Sequence, residues 1–270
     1  MTGRQASTST PGAAATAAPD APRAGAGWIG SIGRSLGLPP AGVWLWALLP
    51  AVFVAGAAAA ALLGRDAYRT YTGEDGVVET LQVAAYAVAL VAAVRLTLRL
   101  RATGAARWLV TLYALLVAGL VFMIGEELSW GQRIVGWGTP DTLASANKQA
   151  ETNLHNIYGV GDTFKWIQML AGAYGSILPF AVGRGSRFAA RRADLAWIVP
   201  APPLALYFAP MFVWRIYRNV FPDPARFNFL VTEFNEVVEL IFALGIAWFL
   251  VLRWRAARPP AAGPGPADRS

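Results

Sequence analysis

Residues 232–252 read Thr232-Glu-Phe-Asn-Glu-Val-Val-Glu239-Leu-Ile-Phe-Ala-Leu-Gly-Ile-Ala-Trp-Phe-Leu-Val-Leu252, and Arg253-Trp254-Arg255 follows. An apolar run of about 20 residues is what a helix needs to cross roughly 30 Å of hydrocarbon. In lipid only a helix or a closed barrel satisfies its own backbone, and a run of this length selects the helix. The span predicted here is Phe234 to Leu252. It opens with acids that a plain anchor would not carry. Glu233 suits the positive N-terminal end of a helix. Glu239 lies one to two turns inside at ~1.5 Å per residue. A charge at the bilayer centre costs roughly 2.5–3.5 kcal/mol, less near the interface. The sequence therefore requires Glu239 to be protonated, paired or metal-bound and turned toward other helices.

Five further runs have the same character: Val43–Leu63, Val77–Leu100, Arg107–Gly125, Phe164–Gly183 and Ala196–Tyr217. The expected fold is all-α, a polytopic membrane bundle of about six transmembrane helices over residues 41–255. Residues 1–40 and 256–270 are rich in Ala, Pro and Gly and are expected to be disordered tails. The long outer loop is placed at 126–163. In the fifth span, Pro200, Pro202, Pro203 and Pro210 remove backbone donors, so a kinked or non-helical stretch is expected there. It reads either as a bend accommodated by neighbours or as a broken helix lining a cavity, as in transporters.

Composition agrees: 56% of the 270 residues are apolar and 14% charged. The net charge of +7 does not indicate a nucleic-acid partner, because the basic residues flank apolar spans. Fifteen of the 23 Lys and Arg residues fall on one side of the predicted membrane, and thirteen of the sixteen acids on the other. The positive-inside rule then puts both termini in the cytoplasm. Trp44, Trp46, Trp108, Trp166, Trp197, Trp214 and Trp254 are expected in the interfacial belts.

Four segments carry polar residues to the extracytoplasmic face. Thr72-Gly-Glu-Asp75 opens the second span, with Glu79, Gln82 and Tyr86 continuing a helical stripe. Thr72 with Asp75 reads as a capping box, and the stripe as the wall of a polar pocket. Glu126 and Glu127 close the third span, where they oppose the helix dipole and need a cation, a proton or Arg133 to compensate. Glu126, Ser129, Trp130 and Arg133 share a face if the helix continues. The pair reads either as an ion-paired loop anchor or as a ligand or general base. In the outer loop, Glu151 stands one helical turn before His155, the only histidine, near enough on a helix to hold its tautomer. The fourth segment is Thr232 to Glu239.

Zinc sites of three His or of Cys are excluded, since the chain has one His and no Cys. A usual di-iron site needs two Glu-x-x-His motifs. What remains is acid–base chemistry by His155 with Glu126 and Glu127. Arg133, Gln132, Trp130, Asn153, Asn156 and Asn235 are the candidate substrate contacts. Asp75, Glu79, Glu236 and Glu239 would suit a hard divalent cation, Mg²⁺, Ca²⁺ or Mn²⁺. Because the groups face one leaflet, the expected substrate is a lipid or lipid-linked molecule, handled by a hydrolase or transferase. The alternatives are a proton- or cation-coupled transporter and a non-catalytic assembly or sensor protein.

The run Glu126-Glu127-x-Ser129-Trp130-Gly131-Gln132-Arg133, then Thr139-Pro140 and Asn147-x-Gln149-x-Glu151-x-Asn153-Leu154-His155-Asn156, resembles a pattern in uncharacterised bacterial multi-pass inner-membrane proteins. Glu74-Asp75-Gly76 and Asn235-Glu236-x-x-Glu239 are similar too. The resemblance implies a helical bundle in a bacterial cytoplasmic membrane and no particular activity. A more distant similarity is to the alkaline ceramidase-like membrane hydrolases, which use several histidines with a metal.

Overall fold

The computed structural model describes residues 28–73, 75–147, 150–184, 192–221 and 224–257. The helices are α1 (Trp28–Leu36), α2 (Pro40–Leu63), α3 (Arg65–Thr72), α4 (Val77–Ala102), α5 (Arg107–Glu127), α6 (Gln132–Val135), α7 (Asp141–Ala146), α8 (Val160–Arg184), α9 (Arg192–Ile198), α10 (Ala205–Val220) and α11 (Asn228–Ala256). The described residues hold no strand, only an isolated bridge between Asn147 and Ile157. Residues 28–36, expected within a disordered tail, form α1, whose Leu36 is buried in the core. The rest of both expected tails, 1–27 and 258–270, lies outside the described residues.

Five stretches are long and apolar enough to cross a membrane: Pro40–Leu63, Arg65–Ala102, Arg107–Glu127, Asp194–Val220 and Asn228–Ala256. Expected as the fourth span, α8 runs for 25 residues. It is not among the five, and Asp162, Lys165, Gln168 and Ser176 stand among its apolar residues. Half of the most apolar window of α11 is buried, against 17% for α5 and 22% for α2. The central helix is therefore α11, and α2 and α5 are peripheral. α11 packs on α4 and α10, α4 on α5, and α10 on α8, so α5, α4, α11, α10 and α8 form an arc.

Close approach along that arc depends on small residues, the usual device where lipid offers no hydrophobic drive between helices. A Cβ on Gly172 would stand 2.7 Å from the backbone nitrogen of Phe212, and one on Gly175 2.1 Å from the Phe208 ring. On the far side of α11, Trp46 packs against Tyr207 at 5.1 Å between centroids, and the Tyr207 hydroxyl donates to the Trp46 carbonyl. Of the Trp residues expected in the interfacial belts, Trp46 and Trp197 are buried, while Trp44, Trp108 and Trp166 are exposed.

The proline-rich break is real. α9 ends at Ile198, a short 3₁₀ turn covers Pro202–Leu204, and α10 begins at Ala205. Its freed carbonyls are satisfied by other helices: Tyr113 donates to Trp197, Tyr174 to Ile198 and Arg253 to Val199. That is the repair a broken helix in lipid requires. The break lies at the end of the bundle opposite the acids, so it lines no polar cavity there.

Candidate functional site

The acids enter the bundle at one end: Glu79 on the first turn of α4, Glu126 and Glu127 on the last turn of α5, Glu236 and Glu239 in the first half of α11. Side chains from α8 and the last turns of α10 complete a cavity of about 310 Å³. Glu79, Glu126, Glu127, Glu236 and Glu239 line it, and so do His155, Asn156 and Asn235. The histidine and the helix-borne carboxylates therefore meet in one hollow.

α5 stops at Glu127 instead of continuing to Arg133. Ser129, Trp130 and Gly131 all take positive φ (46°, 55° and 92°) and reverse the chain. Two consecutive non-glycine residues in that region cost free energy, and hydrogen bonds hold them. The Trp130 indole donates to Glu126 Oε1 at 2.7 Å, and the Ser129 hydroxyl donates to Glu151. The turn folds Asn147 and residues 150–158 back over the end of α5. There Glu126 Oε2 accepts the backbone N–H groups of Leu154 (2.7 Å) and His155 (2.8 Å) and sits 3.2 Å from His155 Nδ1. Glu126 is 1% exposed and His155 32%. With every oxygen of Glu126 engaged, this carboxylate orients the imidazole rather than taking protons itself.

His155 titrates above its ordinary 6.5. Burial alone would lower the value, but the hydrogen bond to Glu126 and the nearby charges of Glu127 and Glu239 outweigh it. Glu151, expected beside it on a helix, is not its partner. The segment is a loop, and Glu151 accepts from Ser129 and from Asn153 Nδ2 at 2.9 Å.

Deeper in the wall, one amide joins two carboxylates. Gln82 Nε2 donates to Glu127 Oε1 at 2.8 Å and reaches Glu239 Oε2 at 3.5 Å. Glu239 is paired as its depth requires. Arg215 of α10 meets its Oε1 at 2.8 Å, and Asn235 and Gln168 donate to the same oxygen at 2.6 and 3.1 Å. Arg215 also donates to Gln168 and is buried. Among the described residues the Oε1 atom of buried Gln82 and the Nε of Arg215 have no partner.

Several expected roles change. Asp75 is not on the cavity wall. Its backbone N–H donates to Glu79 Oε2 at 2.6 Å, while Thr72 bonds back to the Tyr68 carbonyl, so no Thr72–Asp75 capping box forms. Asp75, Glu79, Glu236 and Glu239 do not converge as a metal cage. Among the described residues no three His, Asp or Glu side chains are placed to hold an ion. Gln132 and Asn153 brace the outer loop instead of lining the cavity: Gln132 bonds Thr139 and the Thr152 N–H, and Asn153 bonds Ser129 and Asn147. Trp130 is a support for Glu126. The side chain of Arg133 and residues Glu74, Lys148 and Gln149 lie outside the described residues. Asn156 and Asn235 are on the wall as expected.

The sequence reading missed the basic side of the cavity, formed by Arg215, Arg218 and Lys165, with Gln168 beside them. All four fall inside or at the edge of predicted spans, and a charged residue within a span is itself a functional signal. No family model, curated protein or solved structure matches this chain.

Proposed function

We propose that this protein is a membrane-embedded hydrolase or transferase acting on a lipid or lipid-linked substrate at the extracytoplasmic face. The observation that carries the reading is the Glu126–His155 pair on the wall of a cavity built from five helices and the outer loop. A carboxylate that fixes Nδ1 leaves Nε2 as the working nitrogen, the arrangement in which imidazole serves as general acid or base. Arg218 and Lys165 supply positive charge near the mouth, where an anionic group such as a phosphate would be held. Glu127, Gln82 and Glu239 fix the deeper wall. The cavity volume falls at the lower end of the range for small-molecule sites.

The same proposal takes α8 as a sixth crossing. At ~1.5 Å per residue its 25 residues reach across the hydrocarbon, and it packs along α10. Both termini then lie on the arginine-rich side, which for a bacterial cytoplasmic membrane is the cytoplasm. Membership of the bacterial inner-membrane family that carries the Glu126–Asn156 motif belongs to this proposal too. A transporter would use a site near the midplane with a mobile break beside it. Here the break is at the other end, and the cavity opens toward one face.

The test is turnover. Purified protein in nanodiscs is incubated with a panel of phospholipids and lipid-linked phosphates, and released headgroups are measured by mass spectrometry. Replacing His155 with Ala should lower turnover by about 10²–10⁴-fold, the usual contribution of a general acid–base group, with the bundle still folded. Undiminished turnover in His155→Ala removes the histidine from the chemistry and the reading with it.

A further inference from the structure

The cavity has a second side that the acid–base reading does not use. It sits inside an arc whose two ends are α5 and α8. Each is packed on its inner neighbour, α5 on α4 and α8 on α10, while no extended interface joins α5 to α8 among the described residues. What bridges them near the cavity is one ring pair: Phe122 of α5 stacks on Phe164 of α8 at 6.0 Å between centroids and 7° between planes. Trp130 steadies Phe122 edge-on at 5.8 Å. Phe164 and Met123, the residue after Phe122, line the cavity itself, and buried Gly161 beside Phe164 adds no side chain. Beyond this pair both helices carry exposed apolar residues: Leu115 and Val121 on α5, Ile167 and Leu170 on α8.

We infer that the slot between α5 and α8 is a lateral portal through which the acyl chain of a membrane lipid leaves the cavity, with the stacked rings of Phe122 and Phe164 as its latch. Three observations fit one occupant. The cavity, about 310 Å³, holds a polar headgroup but not the chains attached to it. Phe164 borders both the cavity and the ring pair, and the exposed residues beyond it on α5 and α8 are apolar. Its lining changes from charged at Lys165 and Glu126 to aromatic and aliphatic over a single helical turn, which is the amphipathic profile of a lipid at the headgroup boundary. A ring pair is also a weak closure beside a helix interface, so it opens without unpacking the bundle.

The inference rests on the proposed lipid-processing site, and its test reads entry rather than turnover. The chain has no cysteine, so Phe122→Cys with Phe164→Cys introduces the only thiols. The double variant is placed in nanodiscs of phosphatidylethanolamine and phosphatidylglycerol, doped with phosphatidylethanolamine that carries a photoactivatable diazirine at the chain end. Labelled peptides are mapped with the two thiols free, then bridged by a short bis-methanethiosulfonate, then released by reductant. A reagent is used because a direct disulfide needs Cα atoms within about 7 Å. Bridging should lower labelling of the slot by at least about tenfold, equivalent to about 1.4 kcal/mol. Reductant should restore it, and labelling of the exposed face of α2 around Leu62 should not change. Equal slot labelling in the bridged and free states overturns the portal. Should the double variant not fold, Phe164→Trp narrows the slot without thiols and should lower labelling several-fold; unchanged labelling there overturns it equally. His155→Ala should label like the parent, so a failed portal and a failed catalytic reading give different patterns.

Discussion

Each end of the bundle buries an arginine, and the two do different things. At the cytoplasm-facing end proposed above, Arg253 donates to the Val199 carbonyl left by the proline break, and Tyr113 and Tyr174 take the neighbouring carbonyls. Among the described residues no carboxylate meets Arg253, and its Nε has no partner. At the other end Arg215 meets Glu239, but four further carboxylates share the same cavity, and atoms such as Gln82 Oε1 are left without a partner. Buried donors that meet the carbonyls of a broken helix repair a fold. Carboxylates in excess around a hollow are what the proposed site draws on. A lone hydropathy trace treats both arginines alike.

The comparison predicts the largest loss of stability at Arg215. Replacing it by Ala strands Glu239 inside the bundle and should cost about 3–5 kcal/mol, the usual price of breaking a buried ion pair from one side. Exchanging both Arg215 and Glu239 for Met should recover most of that. Reversible unfolding in mixed detergent measures both, and equal losses for the single and double variants would show that the pair is not the reason these residues are buried.

A middle-sized effect should appear with pH. The His155 pKa is raised above 6.5 in the fold. The stabilisation it gives is therefore complete below 6.5 and is lost as the pH climbs through the raised value. Because the chain has one histidine, ¹⁵N-histidine labelling yields a single titration. Its midpoint should lie above 6.5 and drop in Glu126→Gln; a midpoint at or below 6.5 contradicts the hydrogen-bonded pair.

The smallest effect belongs to the repaired end. Tyr113→Phe leaves the Trp197 carbonyl without its donor and should cost about 1 kcal/mol, with lipid turnover unchanged. A marked fall in turnover would mean the two ends are coupled and the contrast between them is false.

The fold was largely legible because hydropathy reports burial in lipid directly. The run expected from Val77 to Leu100 is α4, Val77–Ala102, and that from Phe234 to Leu252 is the inner part of α11. Hydropathy said less about α8, where Lys165 and Gln168 are interleaved with apolar residues. The meeting of His155 with the carboxylates was legible from charge alone, since acids gathered at one end must share space. The partner of His155 was not. Choosing Glu126 over Glu151 required the reversal at Ser129-Trp130-Gly131, and two successive non-glycine residues of positive φ have no sequence signature. Arg215 was legible in principle as a lone arginine inside a predicted span, and it balances Glu239 across the consecutive helices α10 and α11.

The glycines of α8 carry one more consequence. Gly172 and Gly175 let α8 sit against the backbone and rings of α10 with no side chain between, so that pair moves as a single plank. α5, with the least buried apolar window of the five, has no such clasp on its outer side. A side chain added at either glycine would therefore push α8 off α10 and widen the hollow on that side.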